Sequence, residues 1–285
     1  MTDASEASRH AIRQFYDALS ASTNELVASH RPPDTRRGQM AILLDNIVEA
    51  LAPLRDARVL DIGCGTGVLG LQIARHARQY VGIDLSPAAV DALQDRARAM
   101  GLTNVEARVA DVLADDFAAA APGSRSFDRV LMYTVINLAQ TEEEGRRFMQ
   151  GGLDSLAPGG RALVGSIPIE ELRMTAPWRG AGGRGVGVAR WVLRSHAGLP
   201  HTRAWKVRSL ARRASDRLRP LAAGVADVPP HTPGQFVPLR RDMVEDWVRS
   251  THPEMRWRWA VERIGAPMHA SRADLIVEAP GSTTG

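Results

Sequence analysis

The chain has 285 residues, 44% hydrophobic and 24% charged, a balance that supports a buried core and excludes a disordered chain. Its single cysteine, Cys64, excludes an internal disulfide or a cysteine-cluster zinc site, and no run reaches the ~18–20 apolar residues of a membrane span. The net charge of +4 hides a split: residues 173–241 hold 14 basic side chains and two acids, a net +12, which leaves −8 on the rest.

Residues 1–31 read as a helix and a turn, with Ile12, Phe15, Tyr16 and Leu19 at helical spacing. No signal-peptide apolar core occurs there, so a cytoplasmic location is expected. Arg31-Pro32-Pro33-Asp34 ends the unit, because a residue before proline avoids the helical region. A second helix is expected over 37–52, with Met40, Leu43, Ile47 and Leu51 on its apolar stripe. Short apolar strands follow at 58–62, 80–83, 105–109, 127–133 and 161–167. Between them lie helices from a glycine-rich loop to 76, over 86–100 and over 142–156. Ser86-Pro87 is a capping serine with proline at the first turn, and Gly101 is a stop. Pro158-Gly159-Gly160 reads as a turn.

Alternation of this kind predicts an α/β fold: a Rossmann-like, mostly parallel sheet with helices on both faces. It breaks after residue 169. A helix at 241–250 and strands at 255–263 and 272–278 then close the chain, the two strands as an antiparallel pair across Gly265-Ala266-Pro267. The expected divisions are an N-terminal helical cap (1–55), the core (56–169), a basic insertion (170–240), the closing helix and strands (241–279) and a tail (280–285).

Ligands of such sheets bind at the carboxyl ends of the strands. Asp61, Asp84, Asp111 and Tyr133 all lie at or just inside those ends. The loop Gly65-Thr66-Gly67-Val68-Leu69-Gly70 has the spacing of a dinucleotide fingerprint, but Asp61 at its mouth would repel a pyrophosphate and suits an ammonium group. Asp84 can accept both hydroxyls of a ribose, and Asp111 a bond from an adenine amino group. An amine, a ribose and an adenine without phosphate describe S-adenosylmethionine.

At this point the chain resembles the class I S-adenosylmethionine-dependent methyltransferases of the small-molecule type. Val59-Leu60-Asp61-Ile62-Gly63-Cys64-Gly65-Thr66-Gly67 is similar to their first motif, and Val81-Gly82-Ile83-Asp84-Leu85-Ser86 to the acidic motif after it. Ala110-Asp111-Val112, Phe127-Asp128-Arg129-Val130-Leu131 and Leu156-Ala157-Pro158-Gly159-Gly160 match later positions. The resemblance implies a seven-stranded sheet with an antiparallel last strand. It implies that backbone at Gly63, Cys64 and Gly65 meets the methionine portion, with Asp61 near the ammonium group, Gly67 also binding the cofactor, and the chain at Met132–Tyr133 beneath the methionine. Asp84 would hold the ribose, Leu85 would pack on the adenine, and Asp111 and Val112 would hold the adenine edge. Tyr16 sits in what resembles a covering helix, so Tyr16, Tyr133 and Asn137 are the candidates for acceptor chemistry. Many small-molecule relatives have histidine where this chain has Asn137, which can orient a hydroxyl but not deprotonate it. No metal is expected, because 134–138 holds no acid.

The basic insertion carries Trp178, Trp191 and Trp205 among its arginines and is the expected acceptor-recognition segment. Its chemistry fits an anionic or aromatic small molecule. A lipid-linked acceptor reached through a membrane-surface helix at 205–218, or RNA, are alternatives. RNA is disfavoured, since no separate RNA-binding module is evident. A non-catalytic S-adenosylmethionine-binding partner also remains open. The expected acceptor is a specialised metabolite or a glycan-like compound, and nothing in the sequence fixes the oligomeric state.

Overall fold

The computed structural model describes residues 3–20, 37–113, 117, 125–139, 141–169, 239–260 and 272–281. Two helices come first, α1 (Asp3–Ser20) and α2 (Arg37–Leu51). The alternating core follows: β1 (Arg58–Ile62), α3 (Gly70–Ala74), β2 (Gln79–Asp84), α4 (Pro87–Ala99), β3 (Val105–Val109), β4 (Phe127–Tyr133), α5 (Glu142–Asp154) and β5 (Leu156–Pro168). The chain closes with α6 (Arg241–Thr251), β6 (Arg256–Ala260) and β7 (Arg272–Glu278). The seven strands form one sheet in the order β3-β2-β1-β4-β5-β7-β6. β1 to β5 run parallel, and β7 is antiparallel to both of its neighbours. The order reverses between β1 and β4, so a crevice opens beyond their carboxyl ends.

Strand alternation divides the core between the two faces. Leu60, Ile62, Val81, Ile83, Val130 and Met132 pack toward α5 and α6. Val59, Tyr80, Leu131, Tyr133 and Leu163 pack on the other face with Leu43, Ile47 and Leu51 of α2 and Val90 and Leu93 of α4. Ser86 caps α4 as expected, accepting the Ala89 N–H at 3.0 Å.

Three element ends differ from expectation, each for a local reason. α3 stops at Ala74 rather than 76, because Asn104 Nδ2 donates to the carbonyls of Ala74 and Ala77, both at 2.8 Å. α5 stops at Asp154 rather than 156, because Ser155 O accepts from the amides of Ser126 and Phe127 and turns the chain into the sheet. β5 therefore starts at Leu156, paired with Phe127, and the segment expected to be a turn lies within the strand. A parallel bridge joins Ile169 to Leu239, so the described chain departs and returns at the same place. The helix expected at 205–218, and most of the basic insertion, lie outside the described residues. Among the described residues no helix is long and apolar enough to cross a membrane.

Candidate cofactor site

The glycine loop is tied to the end of β2: Gly63 N–H and Cys64 N–H both donate to Ile83 O, at 2.8 and 3.1 Å. Gly63 has φ +74°, and a Cβ there would lie 2.5 Å from Val135 Cγ2, so the loop needs glycine on both counts. Gly65 has φ +51° and meets nothing within 4 Å, so its backbone is bare toward the cavity. Gly67 is buried behind the loop against Leu71 and Leu93 and does not line the cavity, whereas Gly63, Cys64 and Gly65 do.

The three acids come together around this loop, in the wall of one cavity. Asp84 accepts Gly65 N–H at 2.8 Å and Ser86 N–H at 2.9 Å, one on each carboxylate oxygen. Burial pushes its carboxyl up, while these amides pull it back. Each oxygen keeps a lone pair for a further donor. Asp111 accepts Leu113 N–H at 2.9 Å and the Arg9 guanidinium at 3.0 Å. Asp61 is buried, and its Oδ2 accepts the Tyr80 hydroxyl at 2.6 Å. Burial pushes its carboxyl up to about 7, against the lowering effect of that bond. Leu85 and Val112 also line the cavity.

Met132 does not. Successive strand residues face opposite ways, so with Leu131 and Tyr133 toward the cavity, Met132 is buried on the far face against Gly152. Of the chain at Met132–Tyr133, expected beneath the ligand, Tyr133 therefore lines the cavity and the Met132 side chain does not. Tyr133 lines the cavity with its ring on Gly165, where a Cβ would lie 2.1 Å from the ring. Tyr16 reaches the cavity from α1, which turns Arg9, Ile12, Arg13, Tyr16 and Ser20 toward it on one helical face. Burial, then the Asp84 carboxylate, push the Tyr16 phenol well up, so it is a neutral hydrogen-bonding group and not a base at neutral pH. Asn137 falls in a short 3-10 turn (Ile136–Leu138), and its side chain is outside the described residues.

Sequence reasoning missed several contributors. Arg9 ties α1 to Asp111, and its guanidinium also lies 3.9 Å from Glu144. Asp17 accepts the Ser86 hydroxyl at 2.5 Å, docking α1 on the start of α4. The spacing 9, 12, 13, 16, 20 carried a signal for this face. Tyr80 needed knowledge of strand register. Thr134, just past β4, has φ +63° and a buried hydroxyl with no hydrogen-bond partner. Thr66 has a second such hydroxyl, and both residues line the cavity.

These features fit a nucleoside with a cationic headgroup. The acids supply acceptors for an ammonium group, a ribose diol and an adenine amine, and two orphaned hydroxyls await a partner. A pyrophosphate would face three carboxylates. The fold and site thus define a Rossmann-like nucleoside-binding domain.

Residues 59–160 match the family described as "Methyltransferase domain". The core of this chain is a class I S-adenosylmethionine-dependent methyltransferase domain. The chain is 30% identical over 120 residues to the Ubiquinone biosynthesis O-methyltransferase of Paracidovorax citrulli, covering 42% of this chain and 48% of that protein. It is 30% identical over 150 residues to the Cypemycin N-terminal methyltransferase of a Streptomyces species, covering 52% and 55%. It thus spans about half the length of these curated relatives. Among solved structures, Phosphoethanolamine N-methyltransferase 1 of Haemonchus contortus, in complex with phosphoethanolamine and S-adenosylhomocysteine, shares the fold. The TM-score is 0.60 at 15% identity, over 100% of this chain and 51% of that one.

Proposed function

We propose that this chain transfers a methyl group from S-adenosylmethionine to the O or N of a small-molecule acceptor, a specialised metabolite or glycan-like compound. The observation that carries the reading is the meeting of Asp61, Asp84 and Asp111 around a bare glycine backbone in one cavity. In this reading Asp61 holds the ligand's ammonium group and Asp84 its ribose hydroxyls. Leu85 packs on the adenine, and Asp111 and Val112 hold its edge. S-adenosylmethionine, when bound, supplies a methyl group already activated by the positive sulfur. The protein's task is then to position the acceptor and exclude water. Tyr133 and the neutral Tyr16 phenol flank the acceptor end, where Tyr16 orients the incoming group by hydrogen bonding. The names of the two curated relatives, an O-methyltransferase of ubiquinone biosynthesis and a methyltransferase of cypemycin, support a biosynthetic acceptor.

Calorimetric titration with S-adenosylhomocysteine and with NAD tests the ligand, and only the first is expected to bind. Radiolabelled methyl transfer across a panel of phenols, amines and sugars tests the reaction. Binding of NAD in place of S-adenosylhomocysteine would overturn the reading. Tight S-adenosylhomocysteine binding with no transfer to any acceptor class would favour a non-catalytic partner.

A further inference from the structure

One buried polar group near the site has no place in the scheme above. Tyr80 is fully buried on β2, with its hydroxyl 2.6 Å from Asp61 Oδ2. Register explains how it gets there. Tyr80 lies beside Val59 and Gly82 beside Asp61 in the parallel β1–β2 pair, so all four residues share a face. The Tyr80 ring runs along that face toward the carboxyl end, through space that two glycines leave open. A Cβ at position 82 would lie 3.2 Å from Tyr80 Cε1. A Cβ at position 70 would lie 1.9 Å from the Tyr80 hydroxyl and 2.6 Å from Asp61 Oδ2. Gly70 ends the GxGxxG run of the loop, and in this chain its missing side chain is filled by the Tyr80–Asp61 hydrogen bond.

We propose that Tyr80 is a positioning residue of the cofactor site: its hydroxyl, donated to Asp61 through the gap at Gly70, favours the ionised form of that buried carboxylate and aims it at the ligand's ammonium group. The proposal rests on the S-adenosylmethionine reading above and adds a residue that does not line the cavity. The chemistry is one-sided. A phenol buried this deeply stays protonated, so Tyr80 is a donor to Asp61 at any working pH. The other group acting on Asp61 is Asp84 of β2, which is not positive. β4 presents apolar Leu131 beside it. From α1, Tyr16 and Asp17 act on Asp84 and reach Asp61 only through it. No cation of the described residues is among the groups acting on Asp61, so the Tyr80 hydroxyl is what favours its charge before the ligand arrives.

The consequence is a coupled proton. Without ligand the Asp61 carboxyl titrates at about 7, so below that pH an arriving ammonium group must displace a proton. Affinity for a ligand with the ammonium group then falls by up to about tenfold per pH unit below the midpoint. Loss of the Tyr80 donor moves that midpoint upward.

The test is calorimetric titration of the wild-type chain and Tyr80→Phe between about pH 6 and pH 8.5. The ligands are S-adenosylhomocysteine and 5′-methylthioadenosine, which lacks the amino-acid group. In Tyr80→Phe, S-adenosylhomocysteine affinity at neutral pH is expected to fall several-fold. The onset of its decline moves to higher pH, and 5′-methylthioadenosine binding is unchanged. A Tyr80→Phe profile that superimposes on the wild type overturns the proposal. Equal loss of both ligands overturns it too, since that is the result of general damage to the fold. Asp61→Asn gives an independent check: its S-adenosylhomocysteine profile should be flat with pH, and a retained slope overturns the proposal. Failure of the wild type to bind S-adenosylhomocysteine at any pH would instead remove the cofactor reading itself.

Discussion

The two edges of the sheet differ in how their polar groups are satisfied. At the amino edge, guanidinium groups occupy backbone carbonyls. Arg129 Nε donates to Leu51 O at 2.5 Å, and Arg161 Nη1 donates to Ala52 O at 2.8 Å, so two arginines cap the end of α2. Arg161 also pairs with Glu278 at 2.9 Å, and Arg58 Nη1 reaches Ser126 O at 3.0 Å. At the carboxyl edge Asp61, Asp84 and Asp111 line the cavity, Arg9 pairs with Asp111, and the buried hydroxyls of Thr66 and Thr134 lack partners. One edge satisfies its own polar groups. The other leaves groups that only a ligand would satisfy, which is how a site differs from a scaffold.

Substitutions should therefore divide by edge. The largest expected effect is at Asp84. Asp84→Ala removes two charge-assisted acceptors and should weaken S-adenosylhomocysteine binding by about 100-fold or more, with a melting transition that stays cooperative. Unchanged affinity by calorimetry would break the assignment of the acidic edge. Next is Arg161→Ala at the opposite edge, which should cost about 2 kcal/mol of stability in urea unfolding and leave S-adenosylhomocysteine affinity untouched. Weakened ligand binding in that variant would show that the two edges are not separable.

The acidic edge could be read from the chain because parallel topology forces it. Asp61 and Asp84 lie within the carboxyl ends of β1 and β2 and Asp111 just past β3, and βαβ crossovers send every strand end to the same side. Capping at Ser86 was equally visible, since its bond is local. What escaped depends on contacts between segments far apart in sequence. The Tyr80–Asp61 bond requires the β1–β2 register, and the Arg9–Asp111 pair joins residues 102 positions apart. Met132 was assigned to the site by motif, although its alternation with Tyr133 already placed it on the other face. The positive φ of Thr134 had no signal, because threonine rarely adopts it. The basic insertion, where the acceptor was expected to be chosen, lies outside the described residues.

A third prediction concerns the strained turn at Ser166. This residue, at φ +59°, is held from both sides: Asp274 Oδ1 accepts its N–H at 2.7 Å, and Arg272 donates to its carbonyl at 2.6 Å. Burial pushes the Asp274 carboxyl up to about 6. The folded chain thus binds more protons than the unfolded chain between about pH 4 and that value. The associated stability is present below about pH 4 and lost as pH rises through about 6. Asp274→Asn keeps an acceptor for Ser166 N–H without the charge. It should stabilise the fold by about 1–2 kcal/mol at neutral pH and by nothing at about pH 4, read from urea unfolding at the two values. An equal effect at both would assign the change to packing.

The smallest expected effect separates site from scaffold most sharply. Thr134 combines a backbone conformation costly for a β-branched residue with a buried hydroxyl that has no partner, at the mouth of the cavity. A scaffold has no use for the orphaned hydroxyl. Thr134→Gly removes the strain and the orphaned hydroxyl, and it restores some freedom to the unfolded chain. These terms partly cancel, and the net should be a gain of about 0.5–1 kcal/mol. If the hydroxyl serves a ligand, that gain comes with a loss of binding or turnover. A fall in S-adenosylhomocysteine affinity places the hydroxyl on the cofactor. A fall in methyl transfer at unchanged affinity places it on the acceptor. A more stable Thr134→Gly protein with both intact would mean that strain at this edge has no bearing on the site, and the contrast between the two edges would fail at that position.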